Sequence, residues 1–163
     1  GGLEILSGGR LTGSGRIVGD VTSNGVLAPG TSPGLLEVAG DLLLGDDGHV
    51  LMEIAGLTPV SGHDVIDVSG LLTLGGTLEI AFLDDYVPDV GDAFTLFLAA
   101  SIAGEFGNFI LPSIAGLRFE FEGLADGLRM VAMSAVPLPG ALWLFGAASL
   151  LLLRRRSTGP AAG

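Results

Sequence analysis

The chain has no cysteine, no lysine, and one tyrosine and one tryptophan in 163 residues. Without cysteine there can be no disulfide, no Cys-ligated zinc and no thiol nucleophile. The missing lysine leaves four arginines against eighteen acids over residues 1–140, a net charge of −14. Such a body repels a phosphate backbone, which excludes nucleic acid as a partner. The start, Gly1-Gly2, has neither an initiator Met nor a charged-then-apolar leader. The expectation is a processed start or the C-terminal piece of a longer protein. No stretch before Pro137 carries an apolar stripe of helical period.

What the chain has in excess is glycine, 28 residues from Gly1 to Gly163. They follow no three-residue period, which excludes a collagen helix and favours many tight turns. Between them run short bursts of period two: Val50, Met52, Ile54; Leu78, Ile80, Phe82; Phe94, Leu96, Leu98; and Phe119, Phe121 among Arg118, Glu120 and Glu122. Alternation of that kind marks strands with one buried face. The bursts are bounded by turn chemistry at 45–48 (GDDG), Gly75-Gly76, Asp84-Asp85, 89–92 (DVGD) and Asp126-Gly127. The fold class read from this pattern is all-β.

A weak repeat sharpens the expectation. VAGDLLLGDDGHVLMEIA from Val38 and VSGLLTLGGTLEIA from Val68 share V-x-G-x-L-x-L-G and then E-I-A, the second copy being four residues shorter. An irregular repeat of 26 to 30 residues built from short strands and glycine turns fits a parallel β-solenoid, whose coils bury their inward side chains against one another. A β-sandwich with accidental similarity between strands is the alternative.

Catalytic and metal-binding patterns are thin. Gly30-Thr31-Ser32-Pro33-Gly34 fits the G-x-S-x-G elbow of hydrolases, but the residue after the serine is Pro33, which lacks the N–H that an oxyanion hole needs. The following LLEVAGDLLL alternates like a strand, so two Pro-Gly turns are the expected structure. His63 precedes Asp64, yet adjacent strand residues face opposite ways, and a solvated turn histidine is the expectation. The glycines at 13, 15 and 19 miss the dinucleotide fingerprint by one residue and lead into a strand. Asp46, Asp47, Asp84, Asp85, Asp89 and Asp92 could offer oxygen to calcium, but no EF-hand or nonapeptide calcium pattern is present. No catalytic residue, metal ligand or cofactor is assigned, and the protein is read as a non-enzyme.

The end of the chain is different. VPLPGALWLFGAASLLLLRRR, residues 136–156, contains 16 uncharged residues from Leu138 to Leu153 and then three arginines. As a helix that run spans about 24 Å, short against a hydrocarbon core of about 30 Å. It is apolar all round, Trp143 suits the membrane interface near one end, and Arg154, Arg155 and Arg156 can snorkel at the other. Pro137 and Pro139 fit the first helical turn. By the positive-inside rule the arginines stay cytoplasmic as a stop-transfer element, with the acidic body outside and membrane lipid as a partner.

Two resemblances follow. LTGSGRIVGDVTSNGVLAPGTSPGLLEVAGDLLL, residues 11–44, is similar to the repeat pattern of autotransporter passengers and related surface β-helix proteins, and HDVIDVSGLLTLGGTLEI and GDAFTLFLAASIAGEF resemble what usually follows it. The tail resembles the PEP-CTERM sorting signal, the substrate of exosortases in Gram-negative bacteria. Val136, Pro137, Leu138, Pro139 and Gly140 stand at the motif, with Leu138 where the family signature has Glu. Gram-positive sorting needs Leu-Pro-x-Thr-Gly, and Leu138-Pro139-Gly140 supplies no threonine. A GPI tail would end on its apolar run. The resemblance implies a β-solenoid surface domain at 1–133, a sorting signal with a transmembrane helix at 134–156, and a cytoplasmic tail at 157–163. It also implies exosortase as partner, residence in the inner membrane before processing and the cell surface or biofilm matrix afterwards, with extracellular polysaccharide as a candidate ligand. A glycan-binding or glycan-cleaving β-helix module, and a plain single-span anchored β protein, are the alternatives.

Overall fold

The computed structural model describes residues 1–31 and 33–135. Val136 to Gly140, Trp143, Arg154 to Arg156 and the transmembrane helix expected there lie outside the described residues, as does Ser32. Among the described residues no helix is long and apolar enough to cross a membrane. Among the described residues every regular element is a strand, so the described part of the protein is all-β.

Strands fall into tiers of three. The first holds β1 (Leu3–Ile5), β2 (Arg10–Gly13) and β3 (Gly15–Val18); the second β4 (Val21–Ser23), β5 (Val26–Pro29) and β6 (Leu35–Ala39). The third holds β7 (Leu42–Leu44), β8 (His49–Ile54) and the first half of β9 (Val65–Leu74). The rest of β9, β10 (Thr77–Phe82) and the first half of β11 (Ala93–Gly104) form the fourth. Beyond it come the end of β11 and β12 (Asn108–Ile110), then β13 (Leu117–Leu124) and β14 (Gly127–Ser134).

Each strand pairs in parallel with its counterpart one tier on, which aligns like residues through the stack. Leu3, Val21, Leu42, Leu72 and Ile102 form one line. Leu11, Leu27, Val50, Leu78 and Phe109 form a second, and Ile17, Val38, Val68 and Ala99 a third. These lines point inward, and their middle members are buried. Burying such a side chain contributes about 1.5–3 kcal/mol, so the core is a set of apolar ladders in which each rung is sealed by its neighbours.

The stack ends differently at its two ends. On the C-terminal side β14 pairs antiparallel with β11 and β13 antiparallel with β14, so a hairpin takes the place of a further parallel strand. At the N-terminal end β1, β2 and β3 each have a single paired neighbour, β4, β5 and β6.

Three sequence expectations change. The E-I-A match of the repeat is out of register by two residues: Glu79 pairs with Leu51, and Glu53 with Ala81. The turn before β8 has four residues and that before β10 has two, and a slip of two keeps every side chain on its own face. The repeat is also shorter at its start, since Leu3 to Val21 is 18 residues and Leu42 to Leu72 is 30. In β11 the buried residues are Phe94, Leu96, Phe97 and Ala99, whereas Leu98 is half-buried. A register shift between Thr95 and Phe97 in the pairing with β14 breaks the alternation.

Candidate functional site

Among the described residues, the one segment that gathers ionisable side chains in the interior is the loop from β8 to β9, which ends in His63 and Asp64. The loop folds on itself: the Ala55 N–H donates to Gly62 O at 2.6 Å, Gly62 N–H to Thr58 O at 2.6 Å and Val60 N–H to His63 O at 2.9 Å. Val60 adopts a φ of 71°, a left-handed conformation that a β-branched residue takes only when its surroundings impose it. The closure carries His63 and Asp64 inward, and both are fully buried. The expectation of a solvated turn histidine is therefore overturned.

The two side chains diverge, as neighbours in extended chain do. Asp64 Oδ1 accepts the Gly34 N–H at 2.7 Å and Oδ2 the Glu53 N–H at 2.8 Å. One carboxyl thus ties the Pro33-Gly34 turn of the second tier to β8 of the third. Burial pushes that carboxyl up to about 6, while the Glu53 and Gly34 N–H donors pull it down and the Glu53 charge adds a smaller push upward. His63 turns the other way, with Nδ1 at 3.2 Å from Gly56 O and Nε2 at 3.2 Å from Thr95 O. Its ring meets Phe94 edge-on, centroids 5.5 Å apart. Burial lowers its pKa from the ordinary 6.5, opposed by the two carbonyls. A neutral imidazole carries one N–H, so it donates to one of these carbonyls and turns a lone pair to the other.

The two ends of the hydrolase-like pentapeptide, Gly30 and Gly34, lie close together. Gly30 has a φ of 82°, and a Cβ there would sit 2.3 Å from the Gly34 nitrogen. Strand β6, not a helix, follows it. Gly34 N–H is occupied by Asp64 and Gly34 O accepts the Val65 N–H at 3.0 Å, so the segment serves as a clamp between tiers.

On the outer surface His49 of β8 and Glu79 of β10 pair at 2.6 Å, both part-exposed. Sequence reasoning missed this pair, although the repeat places Gly48-His49 over Gly76-Thr77 and so brings residue 79 within reach of residue 49. The turn acids stay local: Asp92 Oδ2 accepts the Asp89 N–H at 2.8 Å, and Asp84 and Asp85 take φ of 54° and 56°. Burial raises the Tyr86 pKa, with Asp92 and Asp89 adding to it. Among the described residues no three His, Asp or Glu side chains converge as metal ligands would.

Two shallow depressions mark the outside. One of about 100 Å³ lies where Arg16, Glu37 and Asp67 stand in register across β3, β6 and β9. Another of about 320 Å³ lies at the corner before β10 and β12, between Asp46, Thr77, Glu105 and Asn108. Both carry acids, and the first is walled mainly by polar atoms, so it suits water and polar solutes better than a buried ligand. The chain matches no protein-family model and no curated protein sequence.

Proposed function

We propose that the protein is an exported, non-enzymatic surface protein of structural or adhesive type, a parallel β-solenoid carrying an exosortase-type sorting signal at its C-terminus. The observation that carries this reading is the order of parts in residues 136–156: Val-Pro-Leu-Pro-Gly, an uncharged run with Trp143 near its start, then Arg154 to Arg156. The body supports it. Tiers held together by inward apolar ladders suit display outside the cell. The resemblance of the tail gives exosortase and membrane lipid as partners, and extracellular polysaccharide as the matrix component met afterwards.

In this reading Pro137 and Pro139 keep the chain unpaired at the membrane surface, where a transpeptidase-like enzyme grips extended backbone. Pro137→Ala combined with Pro139→Ala leaves membrane insertion intact and abolishes processing. The check is the intact mass of wild type and double variant in hosts with and without exosortase. Wild type shortened near residues 136–140 only in the exosortase host, with the variant unshortened, is the expected outcome. A wild type that keeps its full mass in that host replaces the sorting signal with a plain single-span anchor.

A further inference from the structure

The corners that join the two sheets along one side of the stack differ in length from tier to tier. Leu43, Thr73 and Ala103 lie in register, and so do His49, Thr77 and Asn108. Between the two lines the chain runs through 44–48, 74–76 and 104–107, so the middle corner is the shortest. It is recessed between two longer neighbours, and the cleft of about 320 Å³ lies there. Its floor is glycine of necessity, since a Cβ at Gly75 would lie 2.4 Å from Leu44 O and one at Gly76 2.1 Å from Gly48 O. The corner is fixed from both sides: Thr77 N–H donates to Gly48 O at 2.9 Å and Gly107 N–H to Gly76 O at 2.8 Å. Asp46 stands on one longer corner, Glu105 on the other, and Thr77 and Asn108 where the next strands begin. None of these four side chains forms a hydrogen bond or ion pair among the described residues.

We propose that this corner cleft is a saccharide site, which takes one neutral hexopyranose unit of a glycan. Its volume reaches the range of small-ligand pockets, which begins at roughly 300 Å³. The recess is one tier deep along the stack, about 4.8 Å, which suits a single ring lying flat rather than a bulkier group. A pyranose carries hydroxyls around its edge and C–H groups on its faces. The two carboxylates accept from hydroxyls, the Asn108 amide both donates and accepts, and the Thr77 hydroxyl does the same. Leu74 and the glycine carbons offer the C–H faces an apolar surface, with no Cβ at Gly75 or Gly76 to hold the ring away. No cation lines the cleft, so uronates and phosphorylated sugars are repelled. A bare divalent ion fits worse than a sugar. The two carboxylates rise from corners two tiers, about 9–10 Å, apart, and among the described residues no three His, Asp or Glu side chains converge. The site is independent of the sorting signal and rests on the proposed display outside the cell only for where a glycan is met.

The test is saturation-transfer NMR on the full chain in a detergent without a sugar headgroup. The probes are short neutral oligosaccharides built of glucose, of galactose and of mannose, with polygalacturonate as the anionic control. At least one neutral probe is expected to bind at millimolar concentration or below, with calcium chelated, and polygalacturonate is expected not to bind. Asp46→Ala and Glu105→Ala each weaken that binding by about tenfold, the loss of one charge-assisted hydrogen bond. Gly107→Leu abolishes it by filling the recess. A Cβ at Gly107 meets only Gly76 O, at 3.6 Å, so the change points at the floor without disturbing the corner, and circular dichroism stays that of wild type. If Gly107→Leu does not fold, the two exposed acid variants decide alone. No binding of any neutral probe at about 10 mM overturns the proposal, as does binding indifferent to these substitutions. Binding that appears only with added calcium also overturns it and makes the cleft a cation site. Processing of the tail is read by mass and is untouched by any of these outcomes, so the saccharide site and the sorting signal stand or fall separately.

Discussion

Asp64 shows how one side chain can hold two tiers together and still oppose the protein's stability at neutral pH. Its carboxyl is raised to about 6 from 3.8, so between those values the folded chain holds a proton that the unfolded chain has lost. Stability from this group is complete below about pH 4 and is lost as the pH rises through 6, a change of about 3 kcal/mol. His63 has the reverse sign: its lowered pKa gives stability that is complete above 6.5 and lost as the pH falls. Asp64→Asn separates the two. The amide accepts one backbone N–H and presents a donor to the other, which costs about 1–3 kcal/mol at pH 7. The deficit relative to wild type grows by about 2 kcal/mol at pH 4.5, where wild type carries the proton. Urea midpoints of both proteins at the two pH values test this, and an equal deficit at both removes the buried titration. None of it was legible from His63-Asp64 in sequence. The pair is buried by a loop closing through Val60 and by the Thr95 carbonyl 32 residues on, and no local pattern reports either.

At the scale of the element, the alternation of β8 and β10 and the repeat that joins them were legible because one buried face imposes a period of two. The register was not. It depends on the turn, where Gly45 to Gly48 in one tier faces Gly75-Gly76 in the next, and sequence similarity places the difference in the wrong spot. The shift in β11 was invisible because its strand carries no glycine or other bulge signal there; Phe97 is simply the next apolar residue. The corner glycines are the more demanding feature. A Cβ at Gly25 would lie 2.4 Å from Gly9 O, and one at Gly76 2.1 Å from Gly48 O. Those oxygens accept the Val26 and Thr77 N–H groups at 2.9 Å, so they cannot move aside without breaking the ladder. Gly76 also has a φ of 66°. Gly76→Ala is expected to cost about 2 kcal/mol or more, from clash and left-handed strain together. Gly123→Ala in β13 meets nothing within 4 Å and is expected to lie within about 0.5 kcal/mol of wild type. Chemical denaturation of the pair decides between a corner set by close packing and one that merely tolerates glycine, which would leave both variants alike.

For the whole molecule, the proposed reading sets the acidic stacked body and the basic end of the chain in different surroundings, and the contrast sets the last prediction. The body carries −14 over residues 1–140 and gains nothing from crossing an apolar layer, while Leu138 to Leu153 are uncharged and Arg154 to Arg156 bring +3. In that reading sixteen uncharged residues would reach about 24 Å as a helix, less than the roughly 30 Å core, so burial of the run alone would hold it weakly in the bilayer. The proposed reading then assigns the stop to the arginines, since drawing each into the membrane centre costs about 2.5–3.5 kcal/mol on insertion scales. Replacing all three with Gln removes that barrier and leaves the apolar run and both prolines intact. A fraction of the variant chains is expected to pass through the membrane or insert inverted, seen as full-length protein in the periplasmic fraction or as a C-terminal tag that becomes protease-accessible from outside. Membrane retention of Arg154→Gln, Arg155→Gln, Arg156→Gln equal to wild type, with the tag protected, would show that the apolar run suffices and would strip the triplet of its stop-transfer role. The same measurement leaves the stacked body as its own control, because a tail that slips through does not alter ladders sealed between β1 and β14.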